Sequence, residues 1–413
     1  MLKMVDGTGI IGVDMVCPLG GAVSPPQPPN YDNIEMEGVG SLMLPNSLKA
    51  PLERLELIGN SVQGENPAPD NPQEIKSAGR FDEASGKYLF DVKVTGKNLL
   101  SNKPTDWMIG KTTSWGAVPQ TPVSYGKNVK NAIATINVKS STNYSFINKE
   151  TNKLWVCRII ELDANGLGLV NHALYANESF NYKKYNFSTR SNTSNIVFEI
   201  KKVDGTELLS SDIESIKIML VEGEVNEPTP YELYTEQTVQ IALDEPLRGI
   251  VEYKDTIAKD GVARRIKRIV FDENAPFKEY NAPVQVKTTS FISGTTIKDA
   301  TGEIGIEVMS DRFKAKDRGF DRYDEECITL FGKSIFVRFN KDKNINTAEA
   351  LTEWLSQNPL IVDYVLAEPV TEPLPESVQA QLAALHSENG TTHINIDSGE
   401  VPCGIKLTYR KEK

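Results

Sequence analysis

The sequence predicts a mainly β protein, in which a β-sandwich interrupts a second, β-rich (α+β) base domain. Two observations lead there. Apolar residues recur with a period of two along most of the chain, and turn dipeptides separate those runs. Only two segments carry a helical period.

Taken in order, residues 1–31 read as an extended arm and spacer. Ser24-Pro25-Pro26-Gln27-Pro28-Pro29 holds four prolines in six residues, which fix φ and favour an extended chain. The stretch before it is rich in glycine and small apolar residues and needs a partner to become ordered. Met15, Pro18, Pro25 and Pro28 are its candidate assembly residues. Residues 32–97 form the first part of the base. Leu52, Leu55, Leu57 and Ile58 are compatible with a strand or a short helix. Pro67, Pro69 and Pro72 exclude regular structure from the loop that follows.

From Lys87 the alternation becomes clear. Tyr88, Phe90, Val92 and Val94 share one face, and the pattern returns at Ile196/Phe198/Ile200, Ile216/Ile218/Leu220 and Val239/Ile241/Leu243. It recurs at Ile304/Ile306/Val308, Ile335/Val337/Phe339, Ile394/Ile396 and Ile405/Leu407/Tyr409. Asn165-Gly166, Asp204-Gly205, Asp260-Gly261 and Asn389-Gly390 supply turns between such runs. Helices are expected from Thr347 to Gln357, with Asn346 and Glu349 as a capping box, and from about Pro375 to His386. Residues 98–235 read as a self-contained β-domain, and 236–413 as the second part of the base with the two short helices. Such an insertion needs its termini close together, so strand 88–95 should lie beside strand 238–243.

Composition excludes several classes of function. The chain has 45 Lys+Arg against 56 Asp+Glu, a net charge of −11, so a nucleic-acid surface would need a strong local basic face. The one basic run, Arg264-Arg265-Ile266-Lys267-Arg268, continues into a strand-like Ile269-Val270-Phe271. It is expected to line a solvent face or an intersubunit contact. Cys17, Cys157, Cys327 and Cys403 are isolated, as free thiols of a reducing compartment would be. No apolar run reaches the roughly 18 residues of a membrane span, and the N-terminus lacks the pattern of a secretion signal.

Several stretches carry a resemblance. Ala50-Pro51-Leu52-Glu53-Arg54-Leu55-Glu56-Leu57-Ile58-Gly59-Asn60-Ser61 with Pro67-Ala68-Pro69-Asp70-Asn71-Pro72 resembles a module of tail proteins from phages and prophages of Gram-positive bacteria. Val94-Thr95-Gly96-Lys97-Asn98-Leu99-Leu100 is similar to the point where those proteins enter a jelly-roll domain. Ile218-Met219-Leu220-Val221-Glu222-Gly223 through Pro230-Tyr231-Glu232 is similar to the point where they leave it. Leu243–Ile250 and Glu372–Glu376 look like the continuation of the same family. The resemblance implies a virion protein: a tail-fibre or receptor-binding subunit, assembled in the host cytoplasm as a homotrimer. Its partners would be other tail or baseplate proteins, and its jelly roll, like a carbohydrate-binding module, would attach to host surface polysaccharide. A purely structural baseplate role and a polysaccharide depolymerase stand as alternatives.

Sugars stack their C–H faces on flat rings, so the aromatics of 98–235 are the candidate contacts. Trp115 and Tyr125 stand in polar loops, and Trp155 and Tyr175 complete the set. A sandwich core consumes large aromatics too, which makes packing the competing role for each. No catalytic group is expected. His172, His386 and His393 are far apart, and no G-x-S-x-G, H-E-x-x-H or P-loop occurs. The acidic stretch Asp321, Asp324, Glu325 and Glu326 reads as a solvated loop. No cofactor is expected. A calcium ion near Asp163-Ala164-Asn165 stays open, without EF-hand spacing to support it. Nothing in the sequence calls for nucleic acid or membrane insertion.

Overall fold

A computed structural model describes residues 5–6, 9–10, 31–47, 49–109, 112–113, 116–117, 130–149, 155–174, 184–226, 229–280, 287–294, 297, 299–301, 305–317 and 325–412. The arm residues Met15, Pro18, Pro25 and Pro28 lie outside them, as do Asp321 and Asp324.

Among the described residues the protein is built from antiparallel sheets. The base is a sandwich. One layer has seven strands, in the order Val308–Ser310, Leu360–Pro373, Gly261–Phe271, Thr256–Ala258, Leu55–Ile58, Gly404–Glu412 and Tyr31–Val39. The other layer runs Glu236–Leu243, Lys87–Thr95, Gly390–Asp397 and Ser41–Ser47, with Arg80–Asp82 also paired to Lys87–Thr95. The alternation read from the sequence decides what lies between the layers. Phe90, Val92 and Val94 meet Ile241, Ile394, Leu57, Ile405 and Leu407 in one core, while Lys93 faces water. Leu55–Ile58, compatible with either element in the sequence, is a strand.

A third layer caps the far end of the two longest strands. Phe277–Tyr280, Thr288–Ser293, Ser334–Asn340 and Cys327–Phe331 form a four-stranded sheet. Its core takes Phe291, Val337 and Phe339 from the sheet and Leu351 and Leu355 from the helix Ala348–Gln357. Phe271, Val362 and Tyr364 come from the long strands. The helix begins one residue later than its expected cap. Thr347 Oγ1, not Asn346, accepts the Ala350 N–H at 3.2 Å, and Asn346 instead accepts a bond from Thr289 Oγ1 at 3.0 Å. The second helix, Glu376–Ala384, places Leu382 in the base core.

The basic run corrects its expectation in part. It belongs to the strand Gly261–Phe271, where Lys267 is exposed and Arg265 half-buried, but Arg264 and Arg268 are turned to buried carboxylates. Arg264 is 6% exposed and pairs with Asp255 at 3.4 Å and Glu372 at 3.2 Å. Arg268 grips Asp363, which is fully buried, through two bonds of 2.7 and 2.8 Å. Lys267 pairs with Asp299, and the Arg265 guanidinium lies 5.3 Å from the Tyr253 ring centroid. The charges were legible; the carboxylates that neutralise them are distant in sequence. Cys157, Cys327 and Cys403 are free and buried, and burial pushes the Cys327 and Cys403 thiols up to about 11.

Candidate glycan-binding region

Strand Lys87–Thr95 pairs antiparallel with Glu236–Leu243, with Thr95 opposite Glu236, so the pairing expected of 88–95 and 238–243 is present. Between those two strands the chain makes a separate sandwich. Its five-stranded sheet runs Met108–Ile109, Asn131–Asn137, Asn195–Lys202, Trp155–Leu162 and Gly168–Leu174. The three-stranded sheet is Lys184–Ser188, Asn143–Asn148 and Ile218–Glu222. Successive strands switch sheets at most connections, which is the jelly-roll habit. Phe146, Trp155, Ile159, Phe198, Ile218 and Leu220 fill the space between the sheets.

One side chain ties the entry of this sandwich to its exit. Asn98 is 1% exposed. Its Oδ1 accepts the N–H groups of Leu100 (3.0 Å) and Leu220 (3.2 Å), and its Nδ2 donates to the Glu232 carbonyl at 3.1 Å. Leu99 N–H donates to Leu220 O at 2.8 Å, and Gly96 N–H to Thr235 Oγ1 at 3.1 Å. A buried amide that satisfies three backbone groups leaves the junction little freedom.

His393 of strand Gly390–Asp397 faces this junction. It is 4% exposed, and its Nδ1 lies 3.6 Å from Glu222 Oε2, whose other oxygen binds Lys139 at 3.0 Å. Burial pushes the imidazole down to about 4, against the pull of Glu222 and with that of Lys139. The folded state therefore holds His393 neutral, while the unfolded chain protonates near 6.5. The stability it contributes is complete above pH 6.5 and is lost as pH falls toward 4. Urea midpoints measured across that window should fall with acidification, and the fall should shrink in His393→Gln.

The predicted sugar contacts fare unevenly. Trp115, Tyr125 and Tyr175 lie outside the described residues. Trp155 is corrected: it is fully buried in the sandwich core and has no face to offer a ligand. The sequence held the signal, because Trp155, Cys157 and Ile159 alternate along one strand face. Asp163 uses Oδ1 to accept the Asn165 and Leu167 N–H groups at 2.9 and 2.8 Å, as the acceptor of a tight hairpin turn.

A different group stands where the two sheets end. Gly168–Leu174 and Lys184–Ser188 are edge strands of opposite sheets, and they bring His172 and Tyr185 together. Tyr185 OH lies 3.1 Å from His172 Nδ1, and His172 Nε2 lies 2.8 Å from the buried Glu161 Oε1. Burial raises the Glu161 carboxyl. Bonds from Thr193, His172 and the Arg190 N–H outweigh that, and its titration ends below the usual range. Phe187 backs the pair, its centroid 4.9 Å from His172 and 6.0 Å from Tyr185. The result is a half-buried tyrosine packed against the sandwich core, whose hydroxyl is held in place, while the adjoining Asn171 and Lys184 are exposed on the outer faces of their sheets. The exposed part of an oriented ring can stack a sugar's C–H face.

The sequence matches no protein-family model and no curated protein. Among solved structures, the chain aligns with that of the Gt strain of infectious bursal disease virus, at 8% identity and a TM-score of 0.14. That alignment covers 95% of this chain and 85% of the other. A mutant VP2 protein of the same virus, in derived T=1 particles, aligns over 93% of this chain and 78% of its own, at 8% identity and a TM-score of 0.12. Likeness this low carries no argument about role.

Proposed function

We propose that this chain is a structural protein of a virus particle, a tail-fibre or receptor-binding subunit of a phage tail that holds the host's surface polysaccharide. In this reading the arm, through Met15, Pro18, Pro25 and Pro28, seats in other tail or baseplate proteins. The base assembles as a homotrimer, and the sandwich meets the glycan without hydrolysing it. The observation that carries the reading is the clamped insertion: a separate sandwich displayed from two neighbouring strands of the base and pinned at its neck by Asn98. A shallow site built on one tyrosine ring binds weakly. Several copies on one particle turn weak binding into firm attachment.

The test uses the full chain and purified cell walls of Gram-positive bacteria. Saturable binding, competed by polysaccharide released from the same walls, is the expected result. Tyr185→Ala should weaken it by about 2- to 12-fold per site, the value of one stacking contact. A folded chain that adsorbs to no wall would overturn receptor recognition and leave a purely structural baseplate role. Release of reducing sugar from the walls would make it a depolymerase.

A further inference from the structure

A cleft of about 1110 Å³ lies in the base, with walls from 72–77, 79–81, Tyr88, Pro246, Arg268, Asp311, Ile361 and 399–401. We infer that this cleft is a second saccharide site, for a neutral oligosaccharide of several units, independent of the sandwich.

Its floor is rigid. Gly79 (φ +134°) donates its N–H to Ser398 O at 2.7 Å, and a Cβ there would come within 3.1 Å of the Phe90 and Tyr88 side chains. Gly399 (φ +79°) lies so close to Arg80 that a Cβ would meet its Cα at 3.1 Å. Only glycine gives these conformations without strain. Arg80 in turn is fixed between Asp91 at 2.5 Å and Asp397 at 3.4 Å. One wall carries Phe81, 54% exposed although it is a phenylalanine, with its ring centroid 5.2 Å from that of half-buried Tyr88 and tilted by 54°. Gln73, Glu74 and Asp311 add polar groups to the lining, with the Gln73 N–H donating to the Asp311 carbonyl at 2.7 Å.

The charge balance selects the ligand. Lys76 pairs with Glu400, Arg80 with Asp91 and Arg268 with Asp363, so the basic groups of the lining are already neutralised. A phosphate or nucleotide needs uncompensated positive charge, and a lipid needs a continuous apolar wall. This cleft has neither. Aromatic rings beside amides, carboxylates and a fixed guanidinium match the C–H faces and hydroxyls of sugars. The volume, just above the roughly 300–1,000 Å³ of ligand pockets, admits more than one ring.

Saturation-transfer NMR of the full chain with cellohexaose, maltohexaose and chitohexaose tests this. At least one should bind saturably. Phe81→Ala should weaken that binding about ten-fold, Phe81→Trp should restore it, and Tyr185→Ala should leave it unchanged. The urea midpoint of Phe81→Ala should stay near that of the parent, because the ring is largely solvated. Absence of binding by all three sugars, or binding indifferent to Phe81→Ala, overturns the inference. So does a Phe81→Ala chain that loses oligomeric state while no sugar binds, since the cleft is then a contact between copies. Wall adsorption that survives Phe81→Ala would keep the tail-protein reading whether or not this site stands.

Discussion

Replacing Arg268 with alanine should lower the unfolding free energy of the base by about 3 kcal/mol, the lower end of what breaking a buried ion pair costs. Asp363 is fully buried and receives both of its short charged bonds from Arg268, its direct neighbour across the ladder. Arg248 stands by at 3.8 Å but is already engaged by Glu245 at 2.5 Å. Without Arg268 the carboxylate keeps its desolvation and loses most of its compensation. The lower end applies because the Arg268 side chain is 31% exposed, so water takes over part of the loss. Arg268→Lys keeps the charge but not the two-pronged geometry, and should fall between parent and alanine. Arg268→Met with Asp363→Leu should recover most of the stability, because neither charge is then stranded. Urea denaturation with an unchanged slope and a lower midpoint would register the loss. A midpoint within error of the parent would mean the pair contributes nothing.

Asn98→Ala should cost on the order of 3 kcal/mol, concentrated at the neck of the sandwich. It orphans two N–H groups and a carbonyl that the amide now satisfies, at a position 1% exposed. Each stranded buried group costs roughly 1–3 kcal/mol, less what water entering the gap restores. Asn98→Asp keeps the acceptor for Leu100 and Leu220 but sets a buried, charged oxygen against the Glu232 carbonyl, so its loss should be no smaller than that of alanine. Limited proteolysis gives the local readout: cuts should appear near residues 96–100 and 229–235 in the alanine variant before either sandwich unfolds. Equal resistance of parent and variant would show that Asn98 does not hold the neck.

Local periodicity made the sheets legible, and long-range pairing hid the rest. Lys87–Thr95 and Glu236–Leu243 could be drawn as strands because one face of each is apolar. Their neighbourhood followed from the logic of an insertion. The basic run misled because four charges within five residues look solvated until Asp363, 95 residues from Arg268, is placed beside them. Of the layer around Phe291 and Phe339 only the strand carrying Ile335, Val337 and Phe339 was legible, since its core borrows Phe271 and Tyr364 from strands that also serve the base. At the candidate site, Trp155 was drawn outward although its own strand alternation put it inside. The Glu161–His172–Tyr185 chain was invisible because it joins edge strands of two different sheets. The cleft lined by Phe81 is composed of turns and short strands, where no period exists to read.

The neck of the sandwich also has a mechanical meaning. Thr95 and Glu236 are opposite one another at the same end of two antiparallel strands. A pull on the sandwich therefore draws both strands in one direction and leaves their mutual ladder without sliding stress. The load passes instead to the ladder between Lys87–Thr95 and Gly390–Asp397, whose rungs from His393↔Thr95 to Asp397↔Asp91 resist together rather than in sequence. Tension applied to the sandwich is thus shared across a row of hydrogen bonds.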